Sequence, residues 1–187
     1  GTNIYYSAGS SQYVLNKSTS TWSTKTWTGL TNFYASDVWS DGTDIYMSNA
    51  SNQYVLDKST SKWTWKNWNG YSNVTGRYIW QSVLGYHYSN GSTQYTLNKS
   101  TYTWSAQTWT GLTSFNGDMI WNAGSYQYYS NAGTQYALTP GTSTWTSKSW
   151  GGLLSFRGNN VWHFGNDIYY SYGSNQYKKS GNNWRAV

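Results

Sequence analysis

The sequence lacks cysteine and glutamate, contains a single proline, and has only 10% charged residues. Without cysteine the chain can have no disulfide framework. Without glutamate, an enzyme built on this chain would have only six aspartates and two histidines with which to exchange protons. No apolar run reaches the 18 residues that indicate a membrane-spanning helix, so we expect no membrane insertion. The composition also leaves almost no helix-forming segment.

Aromatic residues supply the apolar material that is otherwise scarce. The chain has 14 Trp, 20 Tyr and 4 Phe among 187 residues, and each such ring buries roughly 150 to 250 Å² when it is packed. Most of the remaining residues are Ser, Thr, Asn and Gly, which favour strands joined by tight turns. The composition therefore predicts an all-β domain with an aromatic core.

Positive charge is in excess, with a net charge of +6. Such an excess can indicate a nucleic-acid partner when the basic residues are clustered. Here the basic residues recur at fixed positions of a repeat and are spread along the chain, so we expect no nucleic-acid partner and a role in solubility. The recurring lysines form two sets, Lys17, Lys58 and Lys99, and Lys25, Lys66 and Lys148.

A 41-residue repeat organises the whole chain. The pair Gln-Tyr begins at residues 12, 53, 94, 135 and 176, so the spacing does not drift, and several Trp and Gly positions keep the same step. The repeat divides residues 1–187, taken as one domain, into five units with these bounds: 1–35, 36–76, 77–117, 118–158 and 159–187.

Each repeat contains four strand-like segments. In the second unit, two of them flank Asp41-Gly42, a dipeptide that favours a hairpin turn, and the next two are "QYVLDK" and "KWTWKNW". Four short strands in about 40 residues are typical of a propeller blade, in which both faces of the sheet are buried. We therefore predict a five-bladed β-propeller with four antiparallel strands in each blade.

The segment "IYMSNASNQYVLDKSTSKW" resembles the kelch repeat, and Asp57 and Trp63 match its Asp and Trp positions. The resemblance extends over the whole chain, although the Gly pair of the kelch motif is degraded, for example to Asn49-Ala50. It implies that the repeated Trp residues pack between blades. The Trp, Tyr, Ser and Thr-rich style is also similar to repeats of bacteriophage tail and receptor-binding proteins and of bacterial surface proteins, which favours a virion or an extracellular surface as the location.

The strand count predicts an incomplete first blade. The chain begins at the second strand of a blade, so nineteen strands are expected where five full blades need twenty. Three explanations remain open: the sequence is cut from a longer protein, the first blade has three strands, or another chain donates the missing innermost strand. An exposed edge there would also allow self-association.

No constellation of residues indicates catalysis or a metal site, and we expect neither an enzyme nor a cofactor. Asp57 is expected to form a turn, and Asp41 and Asp44 flank a hairpin without the spacing of an EF-hand. His87 replaces a Tyr of the other repeats and is expected to be packed in the core. His163 has no repeated carboxylate partner in the sequence.

A binding surface is easier to support than a catalytic site. In kelch propellers the loops that lead from one blade to the next lie on the same face as the turns between the second and third strands, and partners often bind there. Positions in these loops that differ between repeats are our candidates for binding: Tyr34, Ser36, Thr75, Arg77, Asn116, Asp118, Arg157 and Asn159. We expect the partner to be a protein or a glycan. The alternatives are a purely structural or engineered repeat scaffold without a ligand, and a lectin with a sugar site between each pair of blades.

Overall fold

A computed structural model of the protein describes residues 3–187. The predicted fold class is confirmed: the chain is all-β, and its five sheets are the blades of a five-bladed β-propeller. The predicted scarcity of helix is also confirmed, because the described residues contain only four single 3₁₀ turns. These turns are Ala35–Asp37, Gly76–Tyr78, Gly117–Met119 and Gly158–Asn160.

The chain forms two compact units, one comprising residues 1–77 and 98–104 and the other residues 78–97 and 105–187. The strands of the first two blades lie in the first unit. Blade 1 consists of β1 (Ile4–Ala8), β2 (Ser11–Asn16) and β3 (Thr21–Thr24), and blade 2 of β4 (Val38–Ser40), β5 (Ile45–Asn49), β6 (Asn52–Asp57) and β7 (Lys62–Trp65).

The other three blades follow the same order. Blade 3 contains β9 (Ile79–Ser82), β10 (Gly85–Asn90), β11 (Thr93–Asn98) and β12 (Thr103–Ala106). Blade 4 contains β13 (Ile120–Ala123), β14 (Tyr126–Ala132), β15 (Thr134–Leu138) and β16 (Trp145–Ser147). Blade 5 contains β18 (Val161–Phe164), β19 (Asp167–Tyr172), β20 (Asn175–Ser180) and β21 (Asn183–Ala186). In chain order we call the four strands of a blade a, b, c and d. Among the described residues, blade 1 has b, c and d only.

Aspartate side chains stabilise two of the turns through hydrogen bonds to the backbone. Asp41 Oδ1 accepts hydrogen bonds from the backbone N–H groups of Thr43 and Asp44, at 2.9 and 2.8 Å, within the hairpin that joins β4 to β5. Asp57 Oδ1 accepts from the N–H of Ser59 at 2.9 Å after β6. Hydrogen bonds from the hydroxyl and N–H groups of this turn lower the pKa of Asp57 to about 2. The predicted turn-forming roles of these aspartates are confirmed.

Two further strands of two residues each were not predicted. These are β8 (Asn69–Gly70), which pairs in parallel with β12, and β17 (Phe156–Arg157), which pairs with the end of β14. Both lie in the loops that leave strand d, where β8 pairs with a strand of the next blade and β17 with strand b of its own blade. Isolated parallel bridges occupy the same place elsewhere, for example between Thr28 and Lys62. The local pattern does not show the pairing of β8, because its partner strand belongs to the next repeat.

The repeated glycine of this loop is required by close backbone contact. A Cβ atom on Gly29 would lie 1.9 Å from the carbonyl oxygen of Trp63, and one on Gly111 would lie 2.0 Å from that of Trp145. Both glycines also have positive φ, +85° and +87°, which side chains with a Cβ rarely adopt. This contact explains why glycine recurs at this position with the 41-residue step.

Aromatic clusters fill the interfaces between successive blades. In the first unit, Trp27 and Phe33 of blade 1 pack against Trp63 of blade 2, with ring centroids 5.9 and 5.3 Å from it. In the second unit, Trp150 and Phe156 pack against Trp184 in the same way. The Trp on strand d is at most 2% exposed in blades 2 to 5. These Trp side chains are part of the core between the blades.

The recurring lysines contact aromatic rings, which the sequence interpretation of solubility did not anticipate. The ammonium groups of Lys25, Lys66 and Lys148 lie 4.7, 5.6 and 4.9 Å from the ring centroids of the Trp two residues later. A cation in this position is attracted to the face of the ring. Part of the basic excess therefore covers the aromatic clusters, which explains its regular spacing.

No helix among residues 3–187 has the length and apolar character needed to cross a membrane.

Candidate binding site

A glutamine in each of blades 1 to 4 holds together the two segments that form the candidate surface. Gln53 Nε2 donates to the carbonyl oxygen of Ala50, in the b–c turn, and to that of Val74, in the loop to the next blade, at 2.9 Å for the latter. Gln94 makes the same pair of bonds to Gly91 and Phe115. We call the surface formed by these b–c turns and interblade loops the rim. The glutamine thus explains why the predicted loops share a face with the b–c turns.

Rim cleft 1 lies between blades 1 and 2, in the first unit, and has a volume of about 340 Å³. Its floor is formed by the apolar side chains of Phe33 and Met47, which are 5% and 3% exposed. Its walls carry the phenol of Tyr34, which is 55% exposed, and the amide of Asn49. The cleft is lined by Leu30, Asn32, Phe33, Tyr34, Met47, Asn49, Asn52 and Tyr54.

Rim cleft 2 lies at the same place in the repeat, between blades 4 and 5 of the second unit, and has a volume of about 400 Å³. Its floor is formed by Phe156 and Tyr170, which are 2% and 7% exposed. Its walls carry the guanidinium of Arg157 and the phenol of Tyr172. The cleft is lined by Ala132, Ser155, Phe156, Arg157, Asn159, Asn160, Tyr170 and Tyr172.

The two clefts share one floor residue, a Phe, and differ in the other floor residue, Met47 or Tyr170, and in their walls. Phe33 and Phe156 are equivalent in the repeat, whereas the next residue is Tyr34 in one cleft and Arg157 in the other. On the facing b strand, Asn49 of the first cleft is replaced by Tyr172 in the second. The same scaffold therefore presents two different sets of aromatic, amide and charged groups.

The structure places only some of the eight predicted binding residues in a rim cleft. Tyr34 lines rim cleft 1, and Arg157 and Asn159 line rim cleft 2. Asn116 has a structural contact, because its Oδ1 accepts a hydrogen bond from the N–H of Gly91 at 2.9 Å. The other four line neither cleft: Ser36 and Arg77 are exposed, and Thr75 and Asp118 are half-buried.

A buried aspartate beside rim cleft 1 was missed by the sequence analysis. Asp37 is 5% exposed, and its Oδ2 accepts a hydrogen bond from Asn49 Nδ2 at 2.9 Å. Burial raises its pKa, against the opposing effects of the nearby Arg77 charge and the Asn49 hydrogen bond. Asp37 therefore orients the Asn49 amide, and Arg77 acts electrostatically on Asp37. The sequence did carry a signal for Asp37, because no other unit has an acidic residue at this position. The equivalent residues are Tyr78, Met119 and Asn160.

The two histidines do not form a site. His87 is 1% exposed and lies within hydrogen-bond distance of the hydroxyls of Ser82 and Thr96, at 2.8 and 2.9 Å, so its predicted place in the core is confirmed. Burial lowers the pKa of His87 to about 4. His163 lies exposed on β18. Within residues 3–187, no three His, Cys, Asp or Glu side chains come together as metal ligands would.

Comparison with protein-family models and with curated proteins finds no match to this chain.

Proposed function

We propose that the protein is a non-enzymatic recognition module that binds a glycan or a protein at the rim clefts. The observation that carries the proposal is the pair of clefts at equivalent positions, which have a buried Phe in common and differ in their walls. A purely structural repeat would need no such difference at an exposed, concave surface.

The chemistry of the cleft walls suits a polar ligand with apolar faces. Tyrosine rings stack on the apolar faces of sugars or on side chains of a peptide, while amide groups donate and accept hydrogen bonds. Volumes of about 340 and 400 Å³ fall within the range of small-ligand sites, roughly 300 to 1,000 Å³. In cleft 2, Arg157 adds a group that pairs with carboxylates in two parallel hydrogen bonds.

The kelch resemblance supports the same surface, because kelch propellers often bind partners at the loops between blades. The similarity in style to phage tail and bacterial surface repeats supports a virion or cell surface as the place of action, and a surface glycan as a ligand. We also propose that the protein has neither a catalytic site nor a cofactor, in keeping with the buried, packed state of His87.

The lectin form of this proposal is favoured by the repetition of the cleft. In it, rim clefts 1 and 2 each bind one sugar residue, and avidity arises from the number of sites. This differs from a lectin built on the repeated Trp residues, because those side chains are buried between blades.

A glycan array probed with the wild-type protein and with cleft variants tests the proposal. Tyr34→Ala addresses cleft 1 and Arg157→Ala addresses cleft 2. Arg185→Ala, on the exposed strand β21, is the control for the loss of a positive charge. We expect saturable binding that a cleft variant abolishes and the control retains. A partner protein identified by its cross-links to cleft residues would equally support the module. Absence of both kinds of ligand would favour the purely structural scaffold.

A further inference from the structure

Blade 1 contains a cavity of about 260 Å³ beside its strand b. Blade 1 contributes the ring of Tyr5, the hydroxyl of Ser7 and the indole of Trp27 to its wall, and the remainder includes Phe33, Ala35 and Trp63. Strand β1 pairs with β2 on one side, and its other edge has no partner strand among residues 3–187. The cavity and the open edge lie together.

The other blades show what occupies this place in the repeat. In blade 3 the place is taken by the indole of Trp80 on strand a, which lies 4.5 Å from the ring of His87, 5.4 Å from Trp109 and 6.1 Å from Phe115, centroid to centroid. Trp80 also packs against Trp145, at 5.8 Å. These four partners are equivalent in the repeat to Tyr5, Trp27, Phe33 and Trp63, all of which line the cavity of blade 1.

The polar contact of the indole has an equivalent as well. Trp80 Nε1 donates to Ser89 Oγ at 2.9 Å, and the Trp of strand a in blades 2, 4 and 5 makes the same bond at 2.8 to 2.9 Å. Ser7 is the corresponding residue in blade 1. It is 8% exposed, and its hydroxyl makes no hydrogen bond to another described residue. In blade 3, Ser89 in turn donates to Gln94 Oε1. Ser7 Oγ is thus the blade 1 equivalent of the hydroxyl that accepts an indole N–H in the other four blades.

Ala35 stands where the other blades have glycine, and this difference limits the length of a strand that could pair with β1. In blades 3, 4 and 5 strand a is preceded by Gly76, Gly117 and Gly158, and a Cβ on these residues would lie 1.9 to 2.1 Å from a carbonyl oxygen in the 3₁₀ turn that leads into strand a of the preceding blade. That oxygen belongs to the residue two before the Trp, such as Asp37 before Trp39. The equivalent position that faces blade 1 is Ala35. Its methyl group clashes with a carbonyl in this position, so strand a itself fits at the edge of β1 but the residue that precedes it does not.

We propose that this cavity is a binding site for the indole of a tryptophan in a short extended peptide, which adds to the free edge of β1. The Trp pairs opposite Tyr5, as Trp80 pairs opposite His87 in blade 3. Its Nε1 donates to Ser7 Oγ. The peptide begins at the residue before the Trp, because Ala35 excludes the preceding carbonyl. Main-chain hydrogen bonds then contribute affinity and the cavity contributes specificity, as in other cases of strand addition.

The test uses two synthetic peptides copied from strand a of blade 2 and isothermal titration against the whole protein. The short peptide is Val-Trp-Ser-Asp amide with a free amino terminus, and the long one carries the preceding Ser-Asp, acetylated. We expect the short peptide to bind with one-to-one stoichiometry. Its affinity should be at least about tenfold higher than that of the long peptide, of the Trp→Ala version of the short peptide, and of N-acetyltryptophanamide. A factor of ten corresponds to about 1.4 kcal/mol.

Two variants assign the binding to this cavity. Ser7→Ala is expected to lower the affinity for the short peptide about three- to tenfold, which is the effect of losing one hydrogen bond. Ala35→Gly is expected to raise the affinity of the long peptide about tenfold and to leave that of the short peptide unchanged. Ser89→Ala, at the occupied equivalent place, serves as the control and should not alter peptide binding. The proposal is overturned if neither peptide binds saturably, if Ser7→Ala has no effect, or if N-acetyltryptophanamide binds as tightly as the short peptide.

Discussion

Gln53 Nε2 lies 2.9 Å from the carbonyl oxygen of Val74, and the oxygen of the same amide accepts a hydrogen bond from Trp68 Nε1 at 3.1 Å. One buried side chain therefore links the b–c turn of blade 2, the loop to blade 3 and the indole between them. The Gln of the repeated Gln-Tyr pair was expected to recur as part of strand c. Gln53 does lie on strand c, and its side chain also shapes the rim.

The first prediction concerns this amide. Gln53→Leu keeps the volume but removes every hydrogen bond, leaving buried backbone carbonyls without a donor. We expect a loss of about 1 to 3 kcal/mol in the free energy of unfolding, measured by urea denaturation. Gln176→Leu is the control, because Gln176 is exposed in blade 5. Equal effects of the two substitutions would contradict the assigned role.

The second prediction compares two equivalent serines. Ser89→Ala leaves Trp80 Nε1 and Gln94 Oε1 buried without partners, and should lower the free energy of unfolding by about 1 to 3 kcal/mol. Ser7→Ala breaks no hydrogen bond to a described residue and should change stability by less than about 0.5 kcal/mol. Thermal or urea unfolding of both variants measures the difference. If Ser7→Ala proves as destabilising as Ser89→Ala, the hydroxyl of Ser7 already has an indole partner.

The third prediction separates close packing from backbone strain at glycine. Gly111→Ala places a methyl group 2.0 Å from the carbonyl oxygen of Trp145, while Gly124→Ala places one in open space. Both residues have positive φ, +87° and +63°, so both variants carry a strain of about 1 kcal/mol. We expect Gly111→Ala to cost several kcal/mol more than Gly124→Ala in the free energy of unfolding. Similar losses would show that the interblade contact is not the constraint.

The fourth prediction concerns pH. His87 has a pKa of about 4 in the folded protein, lowered by burial, against an ordinary value of 6.5. The unfolded chain therefore binds a proton that the folded chain does not between these values, and stability falls as pH is lowered from about 6.5 to about 4. The loss approaches about 3 kcal/mol, at about 1.4 kcal/mol for each pKa unit.

His87→Tyr isolates this contribution because the equivalent residues of the other blades are Tyr. The difference in unfolding free energy between the wild type and this variant should change with pH only within that window. A difference that stays constant from pH 7 to pH 4 would show that folding does not lower the pKa of His87.

The regular parts of the fold could be predicted from the sequence, because each repeat carries its own turn residues. Asp41-Gly42 marks a hairpin and Asp57 a turn without reference to any other unit. The short strand at Asn69–Gly70 could not be predicted, since its partner, Trp104, lies in another repeat. The hydrogen bonds of Gln53 could not be predicted either, because they reach a loop 21 residues away in the chain.

The candidate sites were predictable only where the repeat is broken. The variation among interblade loops pointed to Tyr34 and Arg157, which line the rim clefts, but also to Asn116, whose side chain holds a backbone N–H. Ala35 was the missed signal. It stands alone against Gly76, Gly117 and Gly158, and the meaning of that difference depends on a carbonyl contact that only the structure shows.

The most direct test of the account is the location of a bound ligand. A crystal structure of the protein with the tightest ligand from the glycan array should show the sugar on the apolar floor of a rim cleft, in contact with Tyr34 or Arg157. The corresponding single substitution should abolish binding in titration, and Arg185→Ala should preserve it. A ligand bound away from both clefts, or no ligand for the wild-type protein, would contradict the proposal that the rim is a recognition surface.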